Sequence, residues 1–220
     1  KKNEIPIIDE KVEEIFDDSV DDDREKERAK SRWAQLEAVV GAEPRIKQIT
    51  EDLIKHFDTR TKTQPGKAMI VCMSREICVK FYEALRKLKP ELHDDELSKG
   101  QIKVVMTASA SDPKEFQPHH TNRLQKKDLE KRFKDPSDPL KIVIVRDMWL
   151  TGFDAPCLTT MYVDKPMQGA NLAQAIARVN RVFGDKPGGL VVDYIGIAPQ
   201  LKEALATYAN SNGRGQPTIN

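Results

Sequence analysis

The residues of this chain best suited to chemistry are two arginines one helical turn apart, Arg178 and Arg181, with Gln174 one turn before them. They stand in residues 171–183, NLAQAIARVNRVF. At roughly 100° per residue, positions 174, 178 and 181 share one helix face, and Leu172, Ile176 and Val179 share the opposite one. The apolar stripe seeks a core, which holds the polar stripe outward. An ordinary solvated face would serve with lysine and glutamate mixed. This one sets two guanidiniums together with no acid between them. A guanidinium is planar, permanently charged and matched to phosphate oxygens.

A second segment adds a loop to those arginines. Residues 141–156 read KIVIVRDMWLTGFDAP. Ile142, Val143, Ile144 and Val145 form a short apolar run, as in a strand buried on both faces. The run ends at Arg146 and passes into a loop holding Thr151, Gly152, Phe153 and Asp154. In open α/β sheets, ligands sit where strands end and loops begin. Glycine there allows close backbone approach, and Thr and Asp bring a hydroxyl and a carboxylate. A tight turn alone accounts for Gly152 and Asp154, but not for the arginine helix downstream.

The elements that position these residues alternate between strands and helices. Residues 1–23 read as an acidic linker or tail carrying Asp17, Asp18, Asp21, Asp22 and Asp23. Residues 24–66 read as a helical lead-in, with Trp33, Leu36 and Val40 on one helix and Ile46, Ile49, Leu53 and Phe57 on a second; TRTKTQPGK at 59–67 reads as loop. Strands are expected near 68, 102, 142, 159 and 189. A helix after Ser74-Arg75 buries Cys78, Phe81, Leu85 and Leu88. Residues 112–122 read as loop, with His119 and His120 solvated, and 124–133 as a short helix. A closing helix is expected at 201–208 and a flexible tail at 209–220. This order predicts an α/β fold, a three-layer α/β/α domain over 67–208 with a parallel sheet and right-handed crossovers, preceded by helices.

Three blocks then stand in sequence: a strand ending in Ser74-Arg75, a strand ending in LTGFDAP, and the helix QAIARVNR. Their order and spacing resemble motifs IV, V and VI on the second RecA-like domain of superfamily 2 helicases and translocases. The fuller wording, LTGFDAP, YVDKP at 162–166, NLAQAIARVNRVF and GGLVVDYIG at 188–196, resembles the restriction (motor) subunit of type I restriction–modification enzymes. The likeness runs from about Trp33 to Tyr208.

The resemblance implies a set of roles. Arg178 and Arg181 match arginine fingers that stabilise charge on a transferring γ-phosphoryl group, and Gln174 opens the same motif. Gly152 and Asp154 match positions that approach the nucleotide. Ser74 and Arg75 match contacts to the nucleic-acid backbone; Thr107, Ser109, Arg146 and Thr151 are further candidates for such contacts. Asn180 stands where many helicases have Gly. The expected cofactors are ATP and Mg²⁺ in the full-length enzyme, held mostly by an upstream domain. The expected partners are double-stranded DNA, the upstream motor and nuclease domains, and the methyltransferase and specificity subunits. The implied activity is that of an ATP-dependent type I site-specific deoxyribonuclease and DNA translocase in the prokaryotic cytoplasm.

Other features bound that expectation. No GxxxxGK[ST] phosphate loop is present, and Gly66-Lys67 lacks the preceding glycine and the following hydroxyl. No acidic strand end marks a Mg²⁺ site, and no metal-binding residues are expected. The chain on its own is therefore expected to be inactive. The start KKNEIPIIDEKVEE is not a signal peptide, and the missing initial Met suggests a fragment. Net charge is +1, so nucleic-acid affinity must be local. Cys72, Cys78 and Cys157 lack zinc spacing; Cys72 and Cys78 read as small buried hydrophobes in a reducing compartment. No apolar run is long enough to span a membrane. Another superfamily 2 DNA or RNA helicase, and a non-catalytic phosphate-binding module, are the competing readings. With aromatics at 6%, stacking platforms for unpaired RNA bases are scarce. A dinucleotide-binding oxidoreductase lacks its GxGxxG turn.

Overall fold

The computed structural model describes residues 23–180, 188–197, 206 and 218–219. Two helices, α1 (Asp23–Val40) and α2 (Glu43–Thr63), lead into β1 (Lys67–Cys72). Then follow α3 (Arg75–Leu88), β2 (Ile102–Val105), α4 (Arg123–Lys134), β3 (Ile142–Val145), β4 (Leu158–Asp164), α5 (Gly169–Val179), β5 (Leu190–Asp193) and β6 (Thr218–Ile219). Short 3-10 turns lie at Pro90–Leu92 and Lys114–His119. The sheet is parallel throughout, in the order β2-β3-β1-β4-β5-β6. Every residue of β1, β3 and β4 is buried, as continuous apolar runs in a doubly covered sheet require.

Side-chain alternation sorts the helices onto two faces. Lys67 Nζ points to the α4 side and donates to the Arg132 carbonyl at 2.7 Å. On β4, Thr160 and Tyr162 point the other way, to α2: Arg60 Nε donates to Thr160 Oγ1 at 3.1 Å, and Tyr162 Oη lies 2.8 Å from His56 Nδ1. α2 packs on α3. Right-handed crossovers then put α2 and α3 on one face and α4 and α5 on the other.

The lead-in helices are not a separate unit. Ile46, Ile49, Leu53, Ile54 and Phe57 of α2 share one core with the sheet. Asp164, wholly buried at the end of β4, takes a fork from Arg45 of α2, with Nη1 to Oδ2 at 3.0 Å and Nη2 to Oδ1 at 2.6 Å. Arg45 also donates to the Val40 and Tyr194 carbonyls at 3.0 and 2.8 Å. Burial raises the pKa of Asp164, and Arg45 opposes that shift. The break drawn between 66 and 67 therefore cuts through a packed domain.

Other boundaries move for local reasons. α2 continues through TRTKT, because Arg60 is held by β4 and the hydroxyls of Thr59 and Thr63 bond back to carbonyls within the helix. Leu88 is 43% exposed at the end of α3, not part of its buried stripe. The 112–122 stretch contains the Lys114–His119 turn. There His119 is buried with its ring 4.5 Å from Tyr82, and burial depresses its pKa to about 4. α5 begins at Gly169, earlier than the pattern suggests, and ends at Val179. In the stretch expected to be a flexible tail, β-branched Thr218 and Ile219 pair with Leu190 and Val191. The expected acidic tail at 1–22 and most of the closing helix at 201–208 lie outside the described residues. All three cysteines are buried and outside any disulfide.

Candidate functional site

A parallel sheet brings every strand's carboxyl end to one edge. Here that edge collects Ser74 and Arg75 after β1, Thr107 after β2, Arg146 after β3 and Lys165 after β4. One arginine cluster forms along it, and a second lies where the loop after β3 meets α5.

The first cluster joins β1, β2 and the turn after β2. Ser74 caps α3: its Oγ accepts from the Ile77 N–H at 3.2 Å. Arg75 forks onto Asp112, with Nη1 to Oδ2 and Nη2 to Oδ1 both at 2.7 Å, and Nη1 also donates to the Thr107 carbonyl at 2.9 Å. The guanidinium lies 5.4 Å from the Phe116 ring centroid. Asp112 also accepts the Ser109 N–H at 2.8 Å and faces His120 Nε2 at 3.0 Å. Its side chain is 2% exposed. The Arg75 fork, foremost, pulls its pKa down to about 2. Arg146 Nε donates to the Met73 carbonyl at 3.2 Å and lies 3.2 Å from Asp147 Oδ2. Thr107, Ser109 and Arg146 are exposed. The Arg75 fork, expected to meet phosphate, here holds a carboxylate and a carbonyl. The Ser74 hydroxyl oxygen accepts at a helix end, which leaves its O–H as a donor.

The second cluster joins the loop after β3 to α5. Trp149 and Gly152 both adopt left-handed backbone, each with φ 67°. A side chain at Gly152 would meet nothing within 4 Å, so glycine serves the conformation there and not a close contact. For tryptophan that conformation costs on the order of 1–3 kcal/mol. Its indole stacks on Phe153 at 4.4 Å and 2° between planes, and Phe133 of α4 lies 5.9 Å from Trp149 and 6.1 Å from Phe153. Between the two left-handed residues, the Leu150 carbonyl accepts Arg178 Nε at 2.6 Å. Thr151 and Gly152 are exposed and Asp154 is half-buried between covered Phe153 and Ala155.

A cavity of about 290 Å³ opens beside this contact, lined by Asp147, Leu150, Thr151, Lys165, Gln168 and Asn171 among others. Lys165 Nζ is bonded to Asp147 Oδ1 and reaches the Arg146 carbonyl at 3.5 Å. Along α5, Leu172, Ile176 and Val179 are buried and Gln174 is exposed, as the two-stripe pattern predicts; Arg178 is half-buried and not simply outward. Arg181 lies outside the described residues. Asn180 closes the helix: buried, its Oδ1 accepts the Gly189 N–H at 3.4 Å. A Cβ on Gly189 would sit 2.2 Å from the Val179 carbonyl oxygen, so this helix end packs directly on the chain entering β5.

The structure thus groups Ser74, Arg75, Thr107, Ser109 and Arg146 at the carboxyl edge, and sets Thr151, Gly152, Asp154 and Arg178 where the loop after β3 meets α5. Sequence reasoning missed Asp112, Lys165, Trp149 and the Leu150 carbonyl. Asp112 sits in an ordinary turn sequence, and a backbone carbonyl carries no residue-type signal. The motif-like neighbours of Trp149 were legible, but not its backbone.

For a nucleotide the residues fit one flank. Thr151 and Arg178 are donors that suit a phosphate chain, and the cavity wall is mixed, with Leu150, Pro166 and Met167 beside Gln168 and Asn171. Among the described residues, no group of three or more His, Cys, Asp or Glu is placed to hold a metal ion. No described helix is long and apolar enough to cross a membrane.

Comparison with known proteins decides the family. Residues 113–196 match the family model described as type I restriction enzyme subunit R domain 3. Over 183 residues the chain is 54% identical to the HindI type I restriction endonuclease subunit of Haemophilus influenzae, covering 82% of this chain and 17% of that protein. The chain belongs to the type I restriction enzyme R-subunit family. A subunit described as the type I restriction endonuclease MjaIXP of Methanocaldococcus jannaschii is 46% identical over 205 residues, 93% of this chain and 19% of its own length. This R-subunit chain therefore spans about a fifth of the length of the relatives it matches. A solved fragment described as an HsdR subunit of a type I restriction enzyme from Vibrio vulnificus superposes with a TM-score of 0.53 at 21% identity, covering 79% of this chain and 31% of that one. It shares the RecA-like α/β/α fold.

Proposed function

We propose that this R-subunit segment is the second motor domain of an ATP-dependent double-stranded DNA translocase within a type I site-specific deoxyribonuclease. The observation that carries the reading is the 2.6 Å bond from Arg178 to the Leu150 carbonyl. It ties the guanidinium to Leu150, one of the residues lining the cavity at the carboxyl ends of the strands, where a ligand of an open α/β sheet sits. Arg178, with Arg181 from the same motif, serves as an arginine finger, and Gln174, Gly152 and Asp154 support the nucleotide's edge. ATP with Mg²⁺, held mostly by an upstream domain, supplies the γ-phosphoryl group on which negative charge develops. The exposed Thr107, Ser109, Arg146 and Thr151 hold the DNA backbone, and the Ser74–Arg75 corner braces them. Such contacts grip any sequence equally. Base recognition belongs to a specificity subunit, with the methyltransferase subunit and the upstream motor and nuclease domains as the other partners, in the prokaryotic cytoplasm.

The test is DNA-stimulated ATP hydrolysis by the complete enzyme. Arg178→Ala and Arg181→Ala should each cut turnover severely and leave ATP binding much less affected, because a finger acts on charge that appears in the transition state. Near-normal turnover in both variants would return this helix to an ordinary amphipathic role.

A further inference from the structure

We propose that Trp149 is the positioning residue for Arg178: its indole stack holds the loop in the one backbone conformation that aims the Leu150 carbonyl at the guanidinium. The inference rests on the reading of Arg178 as a finger.

The geometry runs residue by residue. Trp149 and Gly152 are both left-handed, and Leu150-Thr151 lies between them. Glycine takes that backbone freely, but a bulky residue there is an outlier that its surroundings must enforce. Among the described residues, Trp149 is the one non-glycine position with positive φ. What enforces it is visible. The indole lies flat on Phe153, at 4.4 Å and 2°, and Phe133 of α4 continues the stack at 27° and 29° to the two rings. Phe133 and Phe153 are buried, and Lys134 Nζ lies 5.1 Å over the Phe153 ring. The stack is thus anchored in the core while Trp149 remains half-buried.

The loop transmits this to the arginine. The Leu150 N–H closes the turn onto the Asp147 carbonyl at 3.3 Å, its side chain is buried, and its carbonyl receives Arg178 Nε. If Trp149 relaxed to negative φ, the following peptide would rotate and the Leu150 carbonyl would leave the guanidinium. The same turn carries Asp147, the partner of Lys165 across the cavity. Glycine at 149 would permit the left-handed state without selecting it. Tryptophan with its stack selects it. Misplacing a catalytic group by about 1 Å can cost about a hundredfold in rate, so a ring that touches no substrate can still govern turnover.

The experiment uses the complete R subunit with duplex DNA. Trp149→Gly keeps the backbone accessible and removes the ring; Trp149→Phe keeps a ring able to stack. The expected result is a roughly ten- to hundredfold fall in kcat for Trp149→Gly. KM for ATP should stay near wild type, the loss of rate should exceed any loss of folded protein at the assay temperature, and Trp149→Phe should recover most of the rate. Because both changes act through one guanidinium, Trp149→Gly with Arg178→Ala should be no worse than Arg178→Ala alone. Wild-type kcat in Trp149→Gly, or additive losses in the double variant, with Arg178→Ala itself impaired, overturns the positioning role alone. A kcat loss that merely follows a lost folded fraction does the same. Normal turnover in Arg178→Ala overturns the finger reading and this inference with it.

Discussion

Arg75, at the carboxyl edge of the sheet, and Arg178, near the end of α5, meet opposite electrostatic conditions. Arg75 is the first residue of α3, at the positive end of the helix dipole, where a cation is disfavoured. It is stabilised by a two-pronged bond to a nearly covered Asp112. Arg178 is in the last turn of α5, at the negative end, where a cation is favoured. Its Nε donates to the Leu150 carbonyl at 2.6 Å, a bond that sets the orientation of the guanidinium. The contrast teaches that residue type alone does not make an arginine a phosphate ligand. The groups that hold it decide how its guanidinium is turned.

The sharpest way to break the contrast is a charge-conserving change. Arg178→Lys in the complete enzyme keeps the cation and loses both the planar fork and Nε, the atom that holds Leu150. DNA-stimulated ATP hydrolysis should fall by about a thousandfold, as when an arginine finger is absent. Substantial rescue by lysine, measured as steady-state phosphate release, would show that a point charge suffices.

A steric change sharpens the account of the Arg178 cluster. Gly189→Ala forces a methyl group against the Val179 carbonyl, 2.2 Å away, and must displace the end of α5 from β5. Chemical denaturation should show a loss of about 1–3 kcal/mol, the usual cost of overpacking. ATP turnover should fall by more than stability explains. Unchanged stability would mean that this contact relaxes freely.

In the carboxyl-edge cluster, Arg75→Ala should cost stability, about 1.5–3 kcal/mol for a lost charge-assisted bond, and do little to DNA affinity. Because Asp112 already balances the charge, the slope of log affinity against log salt should change by much less than the one unit per phosphate contact expected of an unpaired cation. A change near one unit in a salt titration would restore Arg75 as a direct phosphate contact.

The smallest effect is on pH. The folded pKa of Asp112, about 2, lies below its ordinary 3.8. The unfolded chain therefore takes up this proton first as pH falls. The stabilisation is complete above the ordinary value and is lost as pH drops from about 4 towards about 2. Urea melts of the chain across that window should show wild type losing stability faster than Asp112→Asn. Parallel losses would place the acid sensitivity elsewhere.

Much of this was legible in sequence, for reasons that differ by residue. The apolar runs of β1 and β3 announced buried parallel strands because both faces of such a strand must be apolar. Leu172, Ile176 and Val179 announced the buried side of α5. Helix ends were harder. The TRTKT turn of α2 has weak propensity and is helical because Arg60 reaches β4. The Arg45–Asp164 and Arg75–Asp112 pairs join residues far apart in the chain, and no spacing rule connects them. The Trp149 backbone was illegible because nothing in its residue type signals a left-handed φ.

The most direct test of the central claim compares the two arginines in one assay. ADP with aluminium fluoride imitates the charge of the transferring phosphoryl group, and ADP alone does not. In the complete enzyme on duplex DNA, Arg178→Ala should weaken binding of the aluminium fluoride complex by orders of magnitude while leaving ADP binding nearly unchanged. Arg75→Ala should leave both nearly unchanged. Equal, small losses of both ligands in Arg178→Ala, or a selective loss in Arg75→Ala, would contradict the assignment.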